Sequence, residues 1–292
     1  LLAKECPTSL LRAHIDDASS ADRLTGVLAD WTALADGPLV DLCLFLEEMG
    51  AVAAPGPFLA TTALYRPLAA LAGYEPRSWG TVVSSEPLTL EAARADEILV
   101  VAGESGVARV TDHTITARPT IDTTRHTFTV DVRSTGDVVK VDAVALRDWQ
   151  QRAAVALAAE MAGTARTLLT MSVEYAKQRV QFDKPIGSFQ AIQHKLADMA
   201  LSCERAWSAV YYAAMAHDAG DADRHRATHV AKAAAGEAAT RAARDGIQVH
   251  GGIGYTWEHD LHLFLRRAYA SEHLLGTTSW HHDQLGALLF SG

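Results

Sequence analysis

Cysteine is nearly absent from this chain: Cys6, Cys43 and Cys203 are the only three in 292 residues. They are far apart and odd in number, which excludes a disulfide framework and gives no thiolate metal spacing. Three reduced thiols, mostly in helix interfaces of a cytoplasmic protein, are the expectation. Long apolar runs are missing as well. None approaches the roughly 18 residues that a bilayer span requires. The opening stretch LLAKECPTSLLRAHIDD is amphipathic and charged, with no signal-peptide core or cleavage site. Positive charge is in deficit, with 26 Lys and Arg against 35 Asp and Glu. A net charge of -9 and a pI near 5.8 argue against nucleic acid, whose phosphates demand a basic face. Histidine is plentiful at 13, yet His225 and His229, four apart on a helical stretch, lack a companion carboxylate pattern such as HExxH. No metal site is expected, and the histidines read as solvated or capping groups.

The material that is present suits a globular protein, 49% apolar and 21% charged. Three patterns follow one another. Residues 1–75 read as a helical domain, cut short or lacking flexible stretches. Leu39, Leu42, Leu46 and Met49 fall on one face of a helix that stops near Gly50, and a second helix is predicted from Ala60 to Ala72. Residues 76–145 read as a small β domain. Short Val-, Thr- and Ile-rich runs (WGTVVS, EILVVAG, GVARVT, TITARP, TFTVDVRS, VVKVDAV) are separated by Gly, Asp or Pro. Residues 146–292 read as an antiparallel four-helix bundle. Leu157, Met161, Ala165, Leu168 and Tyr175 share one face, and Ile192, Leu196, Met199, Cys203, Ala206, Val210 and Ala213 share another. A helix over Arg224–Gly246 has a mostly alanine face, which permits close approach of its neighbours. The fold class is therefore α+β, mostly α.

Two turns in the last segment carry the functional signal. The first is YAKQRVQFDKPIGSFQAIQHKLA, residues 175–197. Arg179 closes one helix, Pro185 and Gly187 break it, and Ser188 is placed to cap the next, with Phe189 and Gln190 in its first turn. A guanidinium fork suits a pyrophosphate, and Phe182 offers a flat face to an aromatic ring system. The plainer reading is an Arg on helix-end carbonyls and a core Phe. The second turn is GIQVHGGIGYTWEHDLHLFLRR, residues 246–267. Gly251, Gly252 and Gly254 allow a backbone to approach a ligand closely. Neither a GxGxxG after a strand nor a GxxxxGK is present, so a simple helix break is the competing reading.

Both stretches together, in this order, resemble the acyl-CoA dehydrogenase family. The resemblance covers about residues 20–292, strongly over 150–292 and weakly in the β segment. It implies FAD at a dimer interface. Arg179 would bind the flavin pyrophosphate, with Phe182 and Gln190 near the adenosine. Gln248, Gly251 and Gly252 would contact FAD from the neighbouring subunit's side, and Thr277 and Ser279 would also touch it. Ser85-Glu86-Pro87 is a remnant of the family's Thr-Glu-Pro stretch, but the Gly-Ser segment expected downstream is missing, which puts ring contacts from this chain in doubt.

The family's α,β-desaturation of an acyl-CoA needs a carboxylate to remove the α proton. It commonly stands just before a Gly-Thr, and here that position is Leu275, before Gly276-Thr277. Other members place it early in the first bundle helix, where this chain has Asp148-Trp149-Gln150-Gln151-Arg152-Ala153. Asp148 reads as an N-cap, Glu160 as a weak alternative base, and Glu272 as facing elsewhere. No catalytic residue is assigned.

Flavin-holding residues without a base resemble the second subunit of heteromeric, actinobacterial steroid-type acyl-CoA dehydrogenases. The resemblance implies a heterotetramer with a second dehydrogenase-like chain that supplies the catalytic Glu, an acyl-CoA substrate such as a steroid side-chain thioester, and an electron-transfer protein as acceptor. A self-sufficient homo-oligomer using Glu160 or Asp148, a non-catalytic scaffold or regulator, and a flavin monooxygenase on the same fold stay open as alternatives.

Overall fold

The computed structural model describes residues 2–290. The chain begins with α1 (Leu2–Glu5), α2 (Thr8–Asp16), α3 (Asp22–Val27) and α4 (Leu39–Ala51), with 3-10 segments between α2 and α3 and between α3 and α4. A π-helical segment over Ala60–Tyr65 runs directly into α5 (Arg66–Leu71). Leu39, Leu42, Leu46 and Met49 are all buried, as their spacing predicts.

The β segment forms one sheet of β1 (Gly80–Val83), β2 (Thr89–Leu90), β3 (Glu97–Ala102), β4 (Gly106–Ala117), β5 (Thr127–Thr135) and β6 (Val139–Lys140). The spatial order is β1-β3-β4-β5-β2, with β6 beside β4, and only the β1–β3 pair is parallel. The runs GVARVT and TITARP, expected as two strands, are one. Asp112-His113 does not turn the chain, because the register with β5 shifts there and a bulge absorbs the extra residue. Thr81 Oγ1 donates to the Leu90 carbonyl at 2.7 Å and ties β1 to β2, fixing the ends of the loop that carries Glu86.

The C-terminal half is helical: α6 (Ala143–Gln178), α7 (Gln190–Asp218), α8 (Arg224–His250), α9 (Leu261–Glu272) and α10 (Thr278–Phe290). The cap of α6 is Asp142, whose side chain accepts from the Val144 N–H, and not Asp148. Asp148 lies inside the helix, where it accepts from Arg224 Nε at 3.2 Å. The cap expected from Ser188 is also absent. Its Oγ donates to the Pro185 carbonyl, and Phe189 takes the N-cap position with no side-chain bond. Between α6 and α7 lies a two-stranded hairpin, β7 (Val180–Gln181) and β8 (Lys184–Pro185).

Packing unites these parts. The alanines at 227, 231, 234, 235, 238, 239, 242 and 243 are all buried on α8, which lies against α6, α7, α9 and α10. On the far side of α6, α4 crosses closely. A Cβ at Gly50 would sit 1.9 Å from the Glu160 carbonyl oxygen, and one at Gly163 would sit 1.9 Å from that of Glu47. The N-terminal helices therefore share one core with the bundle. Cys6, Cys43 and Cys203 are buried free thiols within it. Among the described residues no helix is long and apolar enough to cross a membrane.

Candidate functional site

The sequence-predicted residues fall into two groups. The first sits at the open end of the bundle. Arg179 ends α6 in an exposed position, and its side chain has no hydrogen-bond or ion-pair partner among the described residues. Phe182 is 86% exposed, held at φ 55 in the hairpin turn, with Phe189 edge-on to it at 6.1 Å. The core-Phe reading of Phe182 is thereby excluded. Gln190 opens α7 and Gln248 lies in the last turn of α8, both exposed. Gly251 follows at φ 64, and neither it nor Gly252 has an atom within 4 Å of where a Cβ would stand. One contact brings the two turns together. Tyr175, one helical turn before Arg179, stacks on His250 at 4.4 Å, with His259 edge-on to both rings. The first turn offers a guanidinium, an amide and a bare aromatic ring, and the second an amide and open glycine backbone. A guanidinium fork suits a pyrophosphate, and a flat ring suits an adenine.

The second group, Leu275, Thr277 and Ser279, lies near the middle of α8. About fourteen residues of helix, on the order of 20 Å, separate Gly236 beside Thr278 from His250. Thr277 Oγ1 accepts from the Trp280 N–H at 3.2 Å and begins α10, while Ser279 is exposed. The loop is held by Lys232, a buried cation that donates to the carbonyls of Gly276 at 2.8 Å and Glu272 at 3.2 Å. Burial lowers its ammonium to about 8, against the pull of Glu272 and Glu86. Glu272 faces the start of α10, accepting from the Thr278 N–H at 2.7 Å. Leu275 and Gly276 both take positive φ, at 54 and 90 degrees, so the loop turns sharply where the family's base would stand.

This loop borders a cleft of about 680 Å³ between the sheet, the start of α6, α8 and α10. Its walls include Leu64, Leu88, Trp149, Leu157, Leu275 and Trp280. Glu86, from the Ser-Glu-Pro stretch, lines both this cleft and an adjoining one of about 210 Å³. Burial raises its carboxyl above the usual range, while the Leu275 backbone and Lys232 oppose that shift.

Glu160 is elsewhere. It is 3% exposed and bound into a buried ionic cluster. Its Oε1 accepts from Arg125 Nη2 at 2.5 Å and from Arg267 Nη1 at 2.7 Å. Arg267 also donates to Asp122 at 2.6 Å and to Thr124 Oγ1 at 2.7 Å. Burial alone would raise the Asp122 carboxyl, but Arg267 and Arg125 outweigh it and hold that group low. Glu160 is engaged by two guanidiniums and does not line the cleft.

The expectation that the histidines are solvated or capping fails at His229, which is 7% exposed and lines the cleft beside His281. The missed signal was a polar stripe. His225, His229, Lys232 and Gly236 recur at three- and four-residue steps on an otherwise alanine-rich helix and mark the face toward the 272–278 loop.

Comparison with known proteins agrees with this geometry. Residues 150–290 match the family of acyl-CoA dehydrogenase C-terminal domains. Acyl-CoA dehydrogenase IpdE2 of Mycobacterium tuberculosis is 35% identical over 251 residues, covering 82% of this chain and 75% of that protein. The fold is that of the ChsE4-ChsE5 complex from Mycobacterium tuberculosis, with a TM-score of 0.79 at 21% identity over 93% of this chain and 88% of that one. The Tcur3481-Tcur3483 steroid ACAD G363A variant gives 0.78 at 22% identity, covering 100% and 99%. Members of the family are FAD-dependent flavoproteins that oxidise acyl-CoA thioesters. This chain belongs to the acyl-CoA dehydrogenase family.

Proposed function

We propose that this chain is one subunit of a heteromeric FAD-dependent acyl-CoA dehydrogenase, completing the flavin site while a second dehydrogenase-like chain supplies the proton-abstracting carboxylate. One observation carries the reading: the Arg179, Gln190 and Gln248 side chains stand exposed with no hydrogen-bond partner among the described residues, while the base position holds Leu275. Arg179 would grip the pyrophosphate, Phe182 and Gln190 would flank the adenosine, and Gln248, Gly251 and Gly252 would close the site across the subunit interface. Thr277 and Ser279 would reach cofactor from the cleft side. Bound FAD supplies the hydride acceptor for α,β-desaturation of the CoA thioester. The partner would hold most of the acyl pocket, and an electron-transfer protein would reoxidise the assembly. Two similar structures support the heteromeric arrangement, one a ChsE4-ChsE5 complex and the other a Tcur3481-Tcur3483 steroid enzyme, and the second suggests a steroid-derived thioester.

The test is to purify the chain alone and with its partner, then measure flavin per chain and acyl-CoA-dependent dye reduction. Flavin and turnover are expected only in the complex. Arg179→Ala in the complex should weaken flavin binding about tenfold or more, the loss of a charge-assisted pair. Yellow, active protein from this chain alone would overturn the division of labour. Full flavin affinity in Arg179→Ala would overturn the role of the turn, and a complex without flavin would leave a scaffold.

A further inference from the structure

Both places where the family's base is expected border the cleft, and neither presents a carboxylate to it. Leu275 lines one side, and Trp149, Gln150 and Gln151 line another. Asp148, from the same stretch as the glutamines, is turned to Arg224 and does not line the cleft. Among the described residues that do line it, one carboxylate is present, Glu86. It comes from neither place but from the loop between β1 and β2. That loop is held at several points. Thr81 Oγ1 ties its ends at the Leu90 carbonyl, and Ser84 Oγ accepts from the Glu86 N–H at 3.3 Å. Pro87 fixes its own φ and keeps the residue before it, Glu86, out of the helical region.

Position and surroundings both suit proton abstraction. The Leu275 backbone is among the groups that favour the ionised carboxyl, so Glu86 reaches the residue where the family's own base would stand. Burial opposes Leu275 and Lys232 and leaves the carboxyl above its usual range. A carboxylate partly stripped of water is a stronger base than one in bulk solvent. The nearby cations do not quench it. Lys232 is committed to the carbonyls of Gly276 and Glu272, and Arg147 and His273 are exposed at the rim. Burial lowers His229 and His281, so neither ring adds a positive charge at neutral pH. Glu160, gripped by two guanidiniums away from the cleft, has none of these properties.

We propose that Glu86 is a catalytic residue, the base that removes the α proton of an acyl-CoA thioester bound in this chain's own cleft. The proton goes to the Glu86 carboxylate, the electron pair of the broken α C–H bond forms the α,β double bond, and the β hydride passes to the bound flavin. This role rests on the flavin reading for its hydride acceptor and goes beyond the division of labour proposed above. The partner's carboxylate serves the partner's cleft, Glu86 serves this one, and the complex holds two unlike active sites. A carboxylate from another element thus restores through space what Leu275 removes along the chain.

The test uses the complex with the partner's base changed to glutamine, so that only this cleft can react. The probe is 3-phenylpropionyl-CoA, whose ring suits the indoles of Trp149 and Trp280. In deuterium oxide, mass spectrometry reads exchange of the α protons, which needs a base but no net oxidation. Exchange is expected with Glu86 in place and should fall about a hundredfold or more in Glu86→Gln, the span a general base contributes. Leu275→Glu, added to Glu86→Gln, returns a carboxylate to the family's place and should restore exchange, a rescue that a merely structural Glu86 would not allow. Unchanged exchange in Glu86→Gln overturns the proposal. So does exchange that appears only with Leu275→Glu, and so does its absence from every variant, which denies this cleft an acyl group. If Glu86→Gln fails to fold, Glu86→Asp decides. It keeps the charge but shortens the side chain, and should lose about tenfold or more through misplacement of the reacting oxygen. An unchanged rate in Glu86→Asp overturns the role. Flavin content and dye reduction of the complex with both bases intact report the flavin reading separately.

Discussion

Replacing Glu160 with glutamine separates a structural carboxylate from a catalytic one. The cluster around it holds two cations, Arg125 and Arg267, and two anions, Asp122 and Glu160, all at most 7% exposed. Glutamine keeps the shape and one acceptor oxygen but removes a charge, leaving a net positive charge in a site that water does not reach. Removing one partner of a buried pair costs about 3–5 kcal/mol, because the remaining charge is left uncompensated. For a chain of this size that is a fall in melting temperature on the order of 10 °C. Both guanidiniums donate to Oε1, so the amide nitrogen can take the place of the unpartnered Oε2 and the cost is that of the lost charge. Thermal unfolding by circular dichroism reads the effect directly. Adding Arg125→Met restores neutrality, and the double variant should lose less than the sum of the two single losses. The reasoning is refuted if Glu160→Gln melts with the unaltered chain yet abolishes turnover of the complex with flavin retained. That pattern would restore Glu160 as the base.

Gly163→Ala should destabilise by about 1–3 kcal/mol, toward the top of that range, because the added methyl strikes the Glu47 backbone and not a movable side chain. An unchanged urea midpoint would contradict the close crossing of α4 and α6. Acid should unfold the protein early. Burial lowers His14 and His217 to about 4 and His281 to about 3, so the unfolded chain takes up protons near pH 6.5 that the folded chain refuses. Stability from these rings is therefore complete above about pH 6.5 and falls as the pH drops toward 3, by up to about 1.4 kcal/mol per pH unit for each ring. Stability that rises on acidification through this window would contradict it. Lys232→Met should release the carbonyls of Glu272 and Gly276, costing about 1–3 kcal/mol for groups left unpaired. Amide exchange at Leu275–Thr277 should quicken, and unchanged protection there would count against the cation as the pin of this loop.

Periodic patterns were legible because they are local. The apolar steps of α4 and the alanine face of α8 each state which side is buried, and the structure buries them. The exposed turn residues were legible through resemblance, since Arg179 or Phe182 alone reads equally well as a helix end or a core side chain. What failed needed distant partners. Asp148 looked like a cap because a helix starts nearby, but Asp142 comes first in the chain and takes that role. GVARVT and TITARP looked like two strands because polar residues separate them, whereas a partner strand can absorb such residues in a bulge. The Glu160–Arg267 pair spans 107 residues, and His229 meets His281 across 52, separations that no helical or strand period encodes.

The hairpin between α6 and α7 has a cost of its own. Its two central residues, Phe182 and Asp183, both hold positive φ, at 55 and 62 degrees, in a turn where Asn-Gly is the usual occupant. A left-handed backbone at a residue with a bulky side chain costs on the order of 1–2 kcal/mol. The free chain recovers little of this by packing, because the Phe182 ring stands almost wholly in water. Asn-Gly at these positions should give a more stable isolated subunit. On the flavin reading proposed above, that cost would be returned when Phe182 meets the cofactor, so a substitution that stabilises the free chain here would weaken the complex.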